Sequence, residues 1–343
     1  MAWYPEEKKT IATGLPMPLA GVFTFDRFPL DGLGMTKIRL IFHAAIGAGG
    51  TVPITLGIYN FMKGITLRND KDEYYYKNVP GLALYRSNNY FDKATPHHDV
   101  IVAGAMPNAV AVLDLHLVYP FLNRPEDTIV ETKRLNNLTL EIATGTLNDL
   151  QDTPAAATLA MTVDIEIIGT RASVGVTKDG VPDPARAQAF FYLHMRTYPM
   201  VHVDVQPFWD LEAAPDLALL GFLLFNHAAS GIPWLGATAA YAGADGITAV
   251  SLQDVGHRYL SNILTASFQH ERNLCPSFND FNRHAADAAS PYTRVGEYPH
   301  SFVKNGSINE AYATKLIPRL DFTNPTATEE ADLLVWGVRA LRG

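Results

Sequence analysis

Among the eleven histidines of the sequence, His97 and His98 stand beside Asp99, a trio of metal-ligand types. Chelation requires their donors to converge, yet neighbouring side chains on a strand point to opposite faces. His97 and His98 would share an ion only if Pro96 starts a turn there, and a solvated loop accounts for the trio with fewer conditions. His257, His270 and His284 are scattered singly. Gln269-His270-Glu271-Arg272 has a His-Glu step but lacks the second His, one helical turn on, that a zinc-hydrolase helix needs. No His-x-His pair followed by Glu marks a metal-binding β-barrel; His97-His98 and His300 lack that spacing, and His202 stands alone.

Nucleophiles are equally poorly supported. There is no Gly-x-Ser-x-Gly turn to present a serine. Cys275, the single cysteine, precedes Pro276 without an arrangement of neighbours that would favour its thiolate. Gly47-Ala48-Gly49-Gly50 lacks the Lys-Ser/Thr of a phosphate loop and reads as a hairpin turn. Paired carboxylates are harder to set aside, because sandwiches that cleave glycosides draw two acids from strands distant in sequence. Asp114, Glu141, Asp164 and Glu166 all fall in strand-like runs, but alternation with apolar neighbours puts them on an outward face where charge belongs. With Trp3, Trp209, Trp234 and Trp336 they motivate a rival reading, a carbohydrate-binding or carbohydrate-active tandem β-sandwich. Tyr74-Tyr75-Tyr76 reads as an anchor for a short helix. No catalytic, cofactor-binding or metal residue is assigned, no cofactor is expected, and the chain is read as a non-enzyme.

The elements that carry these residues follow from periodicity. Thr36 to Phe42, Ala109 to Tyr119, Asn137 to Ala143, Thr158 to Ile168, Met200 to Val205 and Leu333 to Leu341 alternate apolar and polar residues with period two, which predicts half-buried antiparallel strands. Gly- and Pro-rich punctuators between them favour a sandwich. Helices are expected to be few and short, at Asp70 to Lys77, Asp254 to Leu264 and Glu310 to Lys315.

Three segments recur in the same order. Leu40-Ile41-Phe42-His43 is matched by Leu223-Leu224-Phe225-Asn226-His227, Gly64-Ile65-Thr66 by Gly246-Ile247-Thr248, and Pro154-Ala155-Ala156 with Val163, Ile165 and Ile167 by Pro325-Thr326-Ala327 with Leu334, Trp336 and Val338. An ordered set of matches argues for duplication. The polar, Pro/Gly-rich stretch 170–188 reads as the linker between halves 21–169 and 189–343, with an extended N-terminal arm over 1–20. Halves of about 150 residues and about eight strands suit a Greek-key sandwich, the jelly roll, so an all-β fold of two tandem eight-stranded jelly rolls with short helices in loops is expected.

Composition narrows the partners. The chain of 343 residues is 48% hydrophobic and 18% charged, which excludes disorder. A formal net charge of −8 disfavours direct nucleic-acid binding, since counterion release needs a basic surplus. One cysteine permits no intrachain disulfide. No apolar stretch approaches the roughly 20 residues of a membrane span, and the first residues, Met1-Ala2-Trp3-Tyr4-Pro5-Glu6-Glu7, do not read as a secretory signal.

The tandem halves, the repeated Gly-Ile-Thr step before a polar segment and the Pro-containing N-terminus together resemble the double jelly-roll major capsid proteins of tailless icosahedral phages and related viruses, many of which enclose a membrane. The resemblance implies a homotrimer whose two jelly rolls per subunit build a pseudo-hexagonal capsomer tiling an icosahedral shell. It also implies neighbouring capsomers, minor capsid proteins and vertex proteins as partners, contact of the arm with an internal lipid membrane, a place in the virion and synthesis in the host cytoplasm. Loop contacts are expected at Arg86 to Asp92 and Phe278 to Arg294.

Overall fold

In the computed structural model the alternating residues of the first half turn one side of each strand inward. The structure describes residues 6–30, 33–47, 56–92, 96–99, 101, 104–119, 128–132, 135–150, 158–170 and 189–199, and beyond these the strands between 217 and 340 named below. Two units are present, one of Met1–Asn89, Thr95–His194 and Ala340–Gly343, the other of Tyr90–Ala94 and Met195–Arg339.

The first unit runs β1 (Glu7–Met17), β2 (Val22–Phe25), β3 (Gly34–Ile46), α1 (Gly57–Phe61), β4 (Met62–Asn69), β5 (Tyr74–Val79), α2 (Gly81–Asp92), β6 (Met106–His116), the two-residue β7 (Val130–Glu131), β8 (Leu138–Thr144), β9 (Leu159–Thr170) and β10 (Ala189–Pro199). One sheet has the order β1-β9-β3-β6, with β7 beside the start of β3. In the other, β2-β8-β4-β5 is extended by β10, which adds to β5 in parallel with Leu193 opposite Tyr76. Leaving β7 aside and counting eight strands up to β9, the first sheet takes strands one, eight, three and six, and the second takes two, seven, four and five. That interleaving of two Greek keys is the jelly roll.

Burial follows the pleat. On β3, Ile38, Leu40, Phe42 and Ala44 are fully buried while Lys37, Arg39, Ile41 and His43 between them are only half-buried. Leu113, Leu40 and Ile165 lie side by side across β6, β3 and β9, and Leu67, Leu140 and Phe25 do so across β4, β8 and β2. These apolar faces supply the core, each fully buried Leu, Ile or Phe contributing about 1.5–3 kcal/mol.

The second unit contains β11 (Leu217–Ala228), β12 (Ile247–Asp254), β13 (His257–Leu264), β14 (Glu297–Ser301), β15 (Val303–Lys304), β16 (Ser307–Ile308), β17 (Ile317–Phe322) and β18 (Glu329–Ala340). Its ladders β14-β11-β18 and β13-β12-β17 repeat β6-β3-β9 and β5-β4-β8 of the first unit strand for strand. The three sequence repeats fall on corresponding strands: β3 and β11, β4 and β12, β9 and β18. Leu40 faces Ile165 and Leu223 faces Leu334, so the two registers differ by two residues, a slip that keeps every side chain on its own face. Leu334, Val335 and Trp336 are buried in succession, which means β18 is covered on both sides there and explains its unbroken apolar run.

Several expected elements differ. Asp70 to Lys77 is no helix: the Asn69 side-chain oxygen accepts the Lys71 and Glu73 N–H groups at 2.9 and 3.0 Å, Asp72 takes φ 56°, and the chain reverses into β5. Tyr74 to Tyr76 are therefore strand residues. Asp254 to Leu264 holds the end of β12 and all of β13. Glu310 to Lys315, Met200 to Val205 and the linker from 171 to 188 lie outside the described residues.

The N-terminal segment is also different in kind from an arm. Glu7–Met17 is the edge strand of the first sheet, paired with β9 from Glu7 opposite Gly169 to Met17 opposite Met161, so the first sandwich starts at Glu7 and not at 21. Two register shifts and mostly exposed side chains erased its alternation. Up to His194, β10 belongs with the first unit although it follows the linker.

Candidate functional site

The outer face of the β1-β9-β3-β6 sheet collects most of the charge singled out in the sequence, and cross-strand register decides its chemistry. Arg39 stands between Asp114 on β6 and Glu166 on β9. Its guanidinium grips Asp114 through two hydrogen bonds, and Lys37 lies 3.7 Å away from the same carboxylate. Asp164 accepts the Gly14 backbone N–H at 2.6 Å on one oxygen and lies 3.1 Å from His43 Nε2 on the other; His43 Nδ1 is 3.3 Å from Asn108. Glu166 pairs with Lys8 at 2.8 Å. On the other sheet Arg68 donates to Glu141 at 3.2 Å and to Asp72 at 2.8 Å, and both acceptors raise the guanidinium's already high pKa. Asp70 is held below the ordinary carboxylate range by the Asn136 amide.

Asp114, Glu141 and Glu166 thus each have a lysine or arginine partner, and Asp164 is held by the Gly14 N–H and the His43 ring. Glycoside cleavage needs one acid kept protonated and a second carboxylate facing the sugar, whereas these groups are engaged by strand neighbours. Trp336 is fully buried and so is withdrawn from stacking on a sugar. Among the described residues no group of three or more His, Cys, Asp or Glu is placed to hold a metal ion.

His97-His98-Asp99 has a structural task instead. The segment runs along the outer side of β6: Asp99 N–H donates to Val110 O at 2.8 Å, Val112 N–H to His97 O at 2.9 Å, and Val110 N–H to the Asp99 side chain at 2.8 Å. The His98 ring meets Tyr59 and Tyr85 edge-on at 5.7 and 5.5 Å, while the His97 side chain is 68% exposed. His97 Nε2 lies 4.0 Å from Asp99 Oδ1, but the His98 ring is engaged by Pro96 O at 3.1 Å and by the tyrosines, and the motif covers an edge strand that would otherwise offer its backbone to another chain. The Tyr59 hydroxyl, 3.1 Å from both His97 O and Val112 O, ties segment and strand together; burial, with Tyr85 adding to it, pushes that phenol up. Tyr75 packs edge-on against Phe190, and Tyr76 donates to His116 O at 2.8 Å.

Arg86 to Asp92, expected as a contact loop, lies in α2, where Ser87 and Asn88 are buried. Phe278 to Arg294, Gln269 to Arg272, Cys275, His202, His284, Trp3, Trp209 and Trp234 lie outside the described residues; His257 and His300 fall on β13 and β14. The partners Arg39, His43, Arg68 and Lys8 were not singled out from the sequence as site residues, because only the register shows which carboxylate each one faces. Among the described residues no helix is long and apolar enough to cross a membrane.

No protein-family model matches the chain, and no curated protein sequence does. Solved structures match over nearly its whole length. The major capsid protein of Sulfolobus turreted icosahedral virus superposes with a TM-score of 0.67 at 15% identity, covering 98% of this chain and 97% of that one. For the major capsid protein P2 from bacteriophage PM2 the TM-score is 0.57 at 11% identity, with 98% of each chain covered. PBCV-1 VP54, as fitted into a reconstruction of the virophage Sputnik, gives 0.59 at 11% identity over 100% of this chain and 96% of that one. Strand order within each half and similarity across the whole length agree that the chain has the double jelly-roll fold of viral major capsid proteins.

Proposed function

We propose that the chain is a major capsid protein that trimerises into pseudo-hexagonal capsomers and tiles an icosahedral viral shell. The observation that carries this is the jelly-roll order of the first unit, repeated by the two three-strand ladders described in the second, at a length that matches capsid proteins end to end. Three copies of a tandem pair present six similar sandwiches around an axis, which lets a threefold object occupy a hexagonal lattice site. In this reading the chain works by assembly and catalyses nothing. Its partners are further copies, minor capsid and vertex proteins, and an internal membrane reached through the first residues. The negative net charge keeps the genome from being a direct ligand. The protein acts in the virion after synthesis in the host cytoplasm.

Purified protein should have three times the 37.6 kDa chain mass, and electron microscopy of the native source should show a regular shell built from it. A strictly monomeric species at all concentrations would overturn the proposal. The carbohydrate-binding sandwich remains the competing class, and glycan binding or hydrolysis abolished by changing Asp164 or Glu166 would favour it. Strand carboxylates already engaged by their neighbours and the buried Trp336 speak against it.

A further inference from the structure

We infer that β1 is an exchangeable strand: it releases from β9 of its own chain and pairs with β9 of a second copy. Of its eleven residues only Met17 is buried, and Lys8, Lys9, Thr10, Thr13, Gly14 and Pro16 are exposed. Little apolar surface therefore resists its departure. The ladder to β9 is interrupted between Thr10 and Ala12 and again between Ala12 and Leu15, where Gly14 takes φ 61°. What holds it is a ladder of eight paired positions in short pieces, with polar clips from Lys8 to Glu166 at 2.8 Å, Gly14 N–H to Asp164 at 2.6 Å and Thr10 to Glu166 at 3.5 Å. Elements held in this way open locally at low free energy.

Departure leaves β9 with an open backbone edge twelve residues long, and the segment that fits it is β1 of another copy, in the register already seen within one chain. The connection to β2 stays in place during the exchange. The Ala20 N–H donates to Gly145 O at 2.8 Å. The Thr144 hydroxyl, 2.7 Å from Pro18 O and 3.1 Å from Gly21 N, pins the loop to the end of β8, so the swing begins at Met17. Leu19 and Val22 beside it are 49% and 62% exposed. In the exchanged form they lie where β1 passes from one copy to the next. The inference does not rest on the capsid reading, since strand exchange joins copies whether or not they form a shell.

The test uses full chains carrying Cys275→Ser and either Thr10→Cys or Glu166→Cys, which face one another across the β1–β9 ladder. Mixed, incubated and mildly oxidised, the two variants should give a disulfide-linked pair on non-reducing electrophoresis, with a yield that rises with salt as the clips are screened. If the doubly substituted chain closes its own disulfide while the mixture gives no linked pair, the inference is wrong. Hydrogen exchange on the unsubstituted protein gives an independent reading: amides of Lys8 to Thr13 should exchange about 100-fold faster than those of β3. Equal protection of the two strands would also overturn it.

Discussion

The guanidinium of Arg39 meets the carboxylate of Asp114 edge-on across the β3–β6 ladder, with Nε 2.7 Å from Oδ1 and Nη2 2.8 Å from Oδ2. The pair is unequal in solvation, because the Asp114 side chain is 8% exposed and that of Arg39 is 30%. Removing the base leaves a nearly buried anion without its two hydrogen bonds and with only the longer approach of Lys37 at 3.7 Å, while removing the acid leaves a half-wet cation with Glu166 on its other flank. Arg39→Ala should therefore destabilise the first unit by about 2 kcal/mol and Asp114→Ala by about 1 kcal/mol. Urea denaturation of both variants checks the order, and a larger loss for Asp114→Ala would contradict this account.

Alkaline pH should unfold the protein through its buried phenols. Burial raises the pKa of Tyr59, with Tyr85 adding to it, and that of Tyr75, with the charge of Glu73 adding to it. In the unfolded chain a tyrosine ionises near pH 10, whereas the fold holds both neutral, so their contribution is complete below about pH 10 and is lost as pH rises beyond it. Urea midpoints followed through this range should fall. Tyr59→Phe should make the fall shallower, at the expense of about 1 kcal/mol at neutral pH for the bonds to His97 O and Val112 O.

Gly169 marks a closest approach. A Cβ built there would lie 2.2 Å from the backbone oxygen of Gly34, so Gly169→Ala must push β9 away from β3 at the edge of the core. We expect a loss of about 2 kcal/mol. Gly14→Ala has open space around it and should be limited to the conformational penalty of φ 61°, about 1 kcal/mol. Thermal melts of the two variants side by side test the distinction.

Self-association should be visible in the melting transition. If trimer closure covers surface that one chain leaves open, the melting temperature rises with protein concentration, and assembly and fold are lost in a single step. Reversible dissociation into folded monomers well below the transition would show the two to be uncoupled.

Periodicity was enough to find β3, β6, β8, β9 and β18, because each buries one face or both and writes that burial as an apolar pattern. The repeats were informative for the same reason: Leu40 and Leu223, Ile65 and Ile247, Ile165 and Trp336 occupy corresponding strands. Elements whose identity depends on something other than burial were misread. β1 buries almost nothing, so Lys8, Lys9 and Pro16 look like a tail. In α2, Leu82 to Tyr85 are buried without a break and Ser87 and Asn88 are weak helix formers, so no helical stripe appears. The Asp70 reversal depends on one asparagine side chain, and the pairing of Asp164 with His43 depends on register. Neither is written in local composition.

Parallel addition of β10 to β5 sets an order for biosynthesis. Tyr76 leaves the ribosome long before Leu193, its partner across the ladder, and at about 5–20 residues per second the interval is roughly ten seconds. During that time the emerging first sandwich presents the free side of β5 to solvent, and the ladder between β3 and β9 stays open until Thr170 has been made. A chain released at the apparent midpoint would keep that side uncovered permanently. Truncation products ending between 170 and 188 should then be insoluble companions of the full-length protein, and the nascent chain should call on holdase chaperones before its second half exists.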